Sequence, residues 1–179
     1  MIASAAEPGA AGHDHQKTVA AAATPGIAAL VKAGVPHEVV KFDHDPRESS
    51  FGVEAVQALG RAGVVPEQIY KTLIISVPDG LAVAMVPAAS RLSLKAAAAA
   101  LGVARAEMAE PGAAQRATGY IVGAVSPFGQ RKRLPTVVDA GALAFDRVYC
   151  SAGRRGWDVA VAPSDLIRLT DAVTADIQA

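Results

Sequence analysis

Two β-rich runs, YKTLIISV (70–77) and LAVAMV (81–86), flank the turn Pro78-Asp79-Gly80. That arrangement predicts a hairpin, the most constraining element in the chain. The other elements must pack around it. Thr24-Pro25 is a good helix start: Thr is a favoured cap and Pro suits the first helical position. Ile27, Leu30 and Val31 then share one helical face, and Gly34 ends the helix. HEVVKF (37–42) reads as a strand. Ser50 is placed to cap a second helix through FGVEAVQALG. Leu92–Leu101 is an Ala-rich helix ending at Gly102, with Ser93 as a further cap. Glu107-Met108-Ala109 reads as a short extended piece, and Pro111–Ala117 as one or two helical turns. Short strands are expected at Thr136–Asp139, Arg147–Cys150 and Trp157–Val161, and a helix over Pro163–Leu169 closes the chain. Strands and helices interleave irregularly. The expected class is therefore α+β, a mixed sheet with helices outside it, rather than a regular βαβ array.

The chain has 179 residues, which fits one domain. Hydrophobic residues are 51% of it but aromatics only 4%, so the core must be built from small and β-branched side chains. No apolar stretch is long enough to span a bilayer. The first residues, MIASAAEPGAAGHDH, lack the basic and apolar regions of a signal peptide. Residues 1–23 have no apolar period and are expected to form a flexible extension, so the folded domain is 24–179. Cys150 is the only cysteine, which excludes an internal disulfide and suits a cytoplasmic location. Lys+Arg and Asp+Glu are both 17. A protein that grips nucleic acid unaided usually carries a basic excess, so any RNA bound here meets few cations or is shared with a partner.

The least ordinary segment is Gly119–Gly129, GYIVGAVSPFG. Three glycines and a proline bracket a β-like run. It is either an ordinary strand ending in a turn, or a rigid loop that aims N–H groups at a carbonyl oxygen. Ser126 does not lie in G-x-S-x-G, so the hydrolase elbow is absent. Lys71 stands where the first hairpin strand begins. It is either a solvated strand end or a cation turned into a cleft to hold a phosphate, a ribose oxygen or developing negative charge. Thr72 offers a hydroxyl on the opposite face. Asp43-His44-Asp45 contains metal-ligand types, but no partner cluster exists elsewhere, so no metal is expected. His13 and His15 fall in the extension. Cys150 has no motif linking it to a histidine and reads as an inert strand cysteine. The basic pieces RKR (131–133) and RR (154–155) flank the possible site loops and together suit a short stretch of RNA backbone.

Taken in order, KTLIIS, AEMAEP, TGYIVGAVSPFGQRKRLPTVVD and YCSAGRRGWDVAVAPSDLIRLT resemble the YbaK-type Cys-tRNA(Pro) deacylases, of the prolyl-tRNA synthetase editing-domain superfamily. The resemblance runs from about Thr24 to the C-terminus. It implies a mixed, strongly curved, barrel-like β-sheet surrounded by helices. It implies catalytic positions at Lys71 and at Gly123 and Pro127 of the G-x-x-x-P loop. Substrate contacts are implied at Phe42, Phe51, Thr72, Ala124, Ser126 and Ser151. Many relatives have a second glycine at the position of Ala124, whose methyl would narrow the pocket, and a tyrosine at that of Phe42. The implied substrate is the 3′ end of an aminoacyl-tRNA, with prolyl-tRNA synthetase as partner and no cofactor or metal. No Ser-His, Cys-His or metal constellation is visible. The implied chemistry is therefore positioning plus oxyanion stabilisation, with the substrate's own thiol as nucleophile. Two other functions fit the same sequence: a deacylase for another small amino acid, Ala or Ser, and a non-catalytic module that binds tRNA or a synthetase.

Overall fold

The computed structural model describes residues 24–47 and 50–179, with Phe51 by its backbone alone. The extension expected over residues 1–23 lies outside the described residues. Helix α1 (Pro25–Lys32) starts where its cap stands: the Thr24 hydroxyl accepts the Ile27 N–H at 3.1 Å. Ile27 and Leu30 are buried, but Val31 is 61% exposed. It sits one helical step of about 100° beyond Leu30, at the edge of a face too narrow to include it. Strand β1 (Glu38–Lys41) and helix α2 (Phe51–Gly60) follow. Ser50 holds the N-cap position of α2 without a side-chain capping bond.

The hairpin forms as expected. Strands β2 (Tyr70–Val77) and β3 (Gly80–Pro87) pair antiparallel from Tyr70↔Pro87 to Val77↔Gly80. Helix α3 (Leu94–Leu101) is capped by Ser93, whose hydroxyl accepts the Ala96 N–H at 3.1 Å, and is closed by left-handed Gly102. Ala97 and Ala98 are its buried residues, and such small side chains let the helix lie close on the sheet. Next come β4 (Glu107–Met108), α4 (Pro111–Thr118), β5 (Thr136–Asp139), β6 (Val148–Arg154), β7 (Trp157–Val161) and α5 (Pro163–Thr170). The chain does not close on that last helix. It continues into β8 (Val173–Ala175), which pairs parallel to β5. Asp139 ties this tail down, accepting from the Ile177 N–H at 3.1 Å and from the Gln178 amide at 2.9 Å.

The strands form two sheets, ordered β1-β7-β6 and β4-β2-β3-β5-β8. The second is mixed: β2 pairs antiparallel with β3 and β4, whereas β3–β5 and β5–β8 are parallel. The α+β class holds. No closed barrel is found among the described residues; the sheets meet through an isolated bridge between Ile69 and Tyr149. One core cluster draws on both sheets, with Tyr70, Ile74 and Met85 from one and Cys150, Val159 and Val161 from the other. A second lies between the larger sheet and α3, and a third beneath α2. No helix among the described residues is long and apolar enough to cross a membrane.

Candidate active site

The geometry begins with a strand edge left partly unpaired. On its outer edge β2 meets β4 only at Ile75↔Met108 and Ser76↔Glu107. The last bond there is from the Ala109 N–H to the Ile74 carbonyl, at 3.1 Å. Upstream the edge is open, and a cavity of about 390 Å³ occupies it. Residues 70–74 form one wall; Ser151 and Asp158, a cross-strand pair of β6 and β7, contribute to another. The start of α2 and the loop through Val122 and Gly123 complete it. Its size is at the small end of ligand pockets.

Lys71 and Thr72 both line this cavity. Side chains alternate across a strand, so the two reach it from opposite faces around the open edge of β2. Burial, with the Arg91 charge as a smaller cause, lowers the pKa of Lys71. Its ammonium has been partly stripped of water and gains from any anion placed beside it. The Thr72 hydroxyl is buried with no hydrogen-bond partner among the described residues. Such an orphan is costly unless a ligand satisfies it.

Asp158 is the residue that sequence reasoning passed over. It lines the cavity at 7% exposure, and burial pushes its carboxyl up to about 7. A carboxylate beside apolar walls with a pKa near neutrality is matched to proton transfer. The available signal was the strand WDVAV itself, where an acid sits inside an apolar run.

Gly123 also lines the cavity, in a left-handed conformation (φ 84°) that glycine adopts without strain. The Ala124 N–H closes this turn onto the Ile121 carbonyl at 3.0 Å. The β-like run expected over this segment is thus a series of turns, not a strand. The turn also decides where the next side chains go. Ala124 and Ser126 are completely buried and do not line the cavity. The Ala124 methyl therefore does not narrow it, and the Ser126 hydroxyl accepts the Phe128 N–H at 3.2 Å. Pro127 lines a separate cavity of about 180 Å³, shared with Lys132 and Arg133. Phe42 packs against the cluster beneath α2 rather than lining the cavity. The Phe51 side chain lies outside the described residues. Ser151 does line the cavity, its hydroxyl accepting the Gly153 N–H at 3.1 Å in the bulge of β6.

The loop is fixed rather than loose. The Tyr120 hydroxyl donates to the Phe128 carbonyl at 2.5 Å across its base. Gly129 lets it seat on α1: a Cβ there would lie 2.3 Å from the Pro25 carbonyl oxygen, at a φ of +67°. Gly129→Ala is expected to destabilise the protein by about 3 kcal/mol, from left-handed strain plus overpacking. Denaturant unfolding checks it; a loss below a few tenths would show that the loop is not anchored there.

Other candidates stand apart. His44 Nδ1 is bonded to Glu54 at 2.8 Å, and the Asp45 carboxylate accepts from the Arg47 N–H. No group of three or more His, Cys, Asp or Glu side chains that could hold a metal occurs among the described residues. Cys150 is fully buried, and burial holds its thiol protonated.

Residues 51–169 match the aminoacyl-tRNA editing domain. The chain belongs to that family. Among its relatives is the "Putative Cys-tRNA(Pro)/Cys-tRNA(Cys) deacylase EbsC" of Enterococcus faecalis, 31% identical over 142 residues, 79% of this chain and 87% of that protein. A solved structure described as "a putative trans-editing enzyme for prolyl tRNA synthetase" superposes with a TM-score of 0.74 at 28% identity, covering 85% of this chain and 93% of that one. The likeness to YbaK-type proteins is thus supported by sequence and by fold. Membership of the editing-domain family makes this chain an aminoacyl-tRNA deacylase, and the cavity at the open edge of β2 falls within the matched residues, 51–169.

Proposed function

We propose that this editing-domain protein acts in trans on Cys-tRNA(Pro), removing the cysteine through the cysteine's own thiol. The observation that carries the reading is one cavity lined by Lys71, Thr72, Gly123, Ser151 and Asp158. It supplies a cation, an orphan hydroxyl, a glycine turn and a near-neutral carboxyl, but no thiol, and its Ser151 hydroxyl already accepts the Gly153 N–H. Cys150 is buried on the other face of β6, and Ser126 is buried in the loop.

In this reading the Asp158 carboxylate takes the thiol proton. The sulfur attacks the ester carbonyl carbon, forming a C–S bond and an oxyanion. Lys71 stabilises that charge, and the backbone at Gly123 is placed beside it. The intermediate collapses by breaking the bond to the ribose oxygen, which receives the proton from Asp158. Free tRNA leaves, and the cyclic thioester of cysteine is hydrolysed by water. The Thr72 hydroxyl orients the aminoacyl group. A thiol of pKa about 8.5 is within reach of a base near 7, whereas an alcohol is not.

A net charge of +0 gives the protein little grip on tRNA identity. Prolyl-tRNA synthetase is therefore proposed as the partner that confers tRNA(Pro) selection, and the cytoplasm as the site of action. The experiment is multiple turnover on Cys-, Ala- and Ser-tRNA(Pro) and on Cys-tRNA(Cys), with and without the synthetase. Cysteine should be removed fastest, and the synthetase should be needed to favour tRNA(Pro). Faster release of Ala or Ser would redirect the reading to those amino acids. Binding without turnover would make the protein a non-catalytic module.

A further inference from the structure

We propose that the surface row Lys41–Trp157–Arg154 holds phosphates of the tRNA acceptor end while the terminal nucleotide occupies the cavity; this rests on the reading above. The row follows from strand pairing. Lys41 is opposite Trp157 across β1 and β7, and Arg154 is opposite Trp157 across β6 and β7. One indole thus has a cation on either side. The Lys41 Nζ lies 4.0 Å from the ring centroid and the Arg154 guanidinium carbon 4.9 Å from it. Lys41 and Arg154 are exposed and Trp157 is half-buried.

Three exposed arginines are paired with carboxylates: Arg47 with Asp45, Arg147 with Glu38 and Arg168 with Asp165. Lys41 and Arg154 have no carboxylate partner among the described residues; a shared aromatic ring holds them instead. Two like charges kept close with only an indole between them repel each other, and an incoming anion relieves that repulsion. The row is tied to the cavity wall through a neighbouring residue. Its next residue, Arg155, donates to the Val122 carbonyl at 3.2 Å, and Val122 lines the cavity beside Gly123. The Phe42 N–H donates to the Gly156 carbonyl at 2.8 Å, fixing the end of β1 onto the same hairpin turn.

The number of cations selects the partner. Recognition of an anionic membrane takes a cluster of about four to eight basic side chains. A row of two whose cationic centres sit 4.0 and 4.9 Å from one ring centroid, and so lie no more than about 9 Å apart, suits neighbouring phosphates of one nucleic-acid strand. It also fits a protein without net positive charge, in which a few placed cations replace a basic face.

The test uses the full chain and its K41Q/R154Q variant. The probe is an uncharged acceptor-stem microhelix with a single-stranded CCA end, titrated by fluorescence anisotropy at several salt concentrations. The variant should lose affinity by about tenfold at low salt, and its log–log salt slope should fall by about 1.4, roughly 0.7 for each lost single-strand contact. Its kcat/KM on cysteinyl-adenosine, which carries no phosphate, should match wild type. Unchanged RNA affinity and slope would overturn the proposal. So would an equal loss on cysteinyl-adenosine, or a wild-type protein that binds no RNA. If the cysteine reading itself is wrong, wild type does not turn over cysteinyl-adenosine, while the RNA titration still decides on the row.

Discussion

Changing Asp158 to asparagine is expected to make the protein more stable above pH 7 while lowering deacylation by about 10²-fold or more, the usual worth of a placed general base. The stability half follows from linkage. Burial raises this carboxyl from 3.8 to about 7 in the folded state. Between those values the native protein holds a proton that the unfolded chain has released. Stability due to this group is therefore fully present below about pH 4 and declines as pH rises towards 7. At about 1.4 kcal/mol per pH decade, the cost of the buried carboxylate at pH 8 is at most about 4 kcal/mol. Asparagine cannot ionise and escapes it. The activity half has its own signature. Wild-type kcat/KM should rise with pH through a midpoint near 7 as the carboxylate forms, and that limb should vanish in Asp158→Asn. Urea unfolding at pH 5 and pH 8, beside the pH–rate profile, checks both halves. A variant less stable than wild type at pH 8, or one that keeps the limb, would remove Asp158 from the account.

Lys71→Ala is expected to lower kcat/KM by about 10²–10³-fold, the range for losing one stabilising donor at a developing oxyanion. Folding should hardly change. Burial is the larger cause of the lowered Lys71 pKa, so the charged side chain is held against its own preference. A lysine with a depressed pKa weakens the fold while protonated, a penalty that lifts as pH rises from its folded value to its unfolded one. Its removal gives up no stabilising ion pair, since none is found among the described residues. Single-turnover rates with thermal unfolding separate the two quantities. Wild-type turnover in a folded Lys71→Ala protein would show that the cation faces solvent rather than the reaction.

What the sequence revealed about the fold was what local chemistry decides. Thr24 and Ser93 each accept an N–H at the start of their helices, Gly102 ends one in a left-handed turn, and Pro78-Asp79 forms a two-residue hairpin loop. Each rests on a few adjacent residues. The misses are non-local. Strand β8 has only three residues and is held by β5 and by the Asp139 clasp on Ile177, 38 residues further along the chain, so its own composition carries little signal. The Gly119–Gln130 segment has β-forming residues, but its glycines and the Tyr120–Phe128 bond turn it into a loop. The site divides in the same way. Lys71, Thr72, Gly123 and Ser151 were legible as motif positions and do meet at one cavity. Ala124, Ser126 and Pro127 lie in the same motif, yet the turn at Gly123 sends them elsewhere. Asp158 was hidden because an acid in a short strand acquires meaning only when the other sheet buries it.

The central claim is that the substrate's sulfur, rather than water or a protein side chain, attacks the ester. The direct measurement compares Cys-tRNA(Pro) with S-methyl-Cys-tRNA(Pro), recording the affinity of each beside its single-turnover rate. A thioether carries no proton for Asp158 to remove and forms no thiolate. The account predicts that the methylated substrate binds but is cleaved slower by about 10²-fold or more, with no acyl-protein adduct by mass spectrometry. Cleavage of bound S-methyl substrate at the rate of Cys-tRNA(Pro) would contradict it.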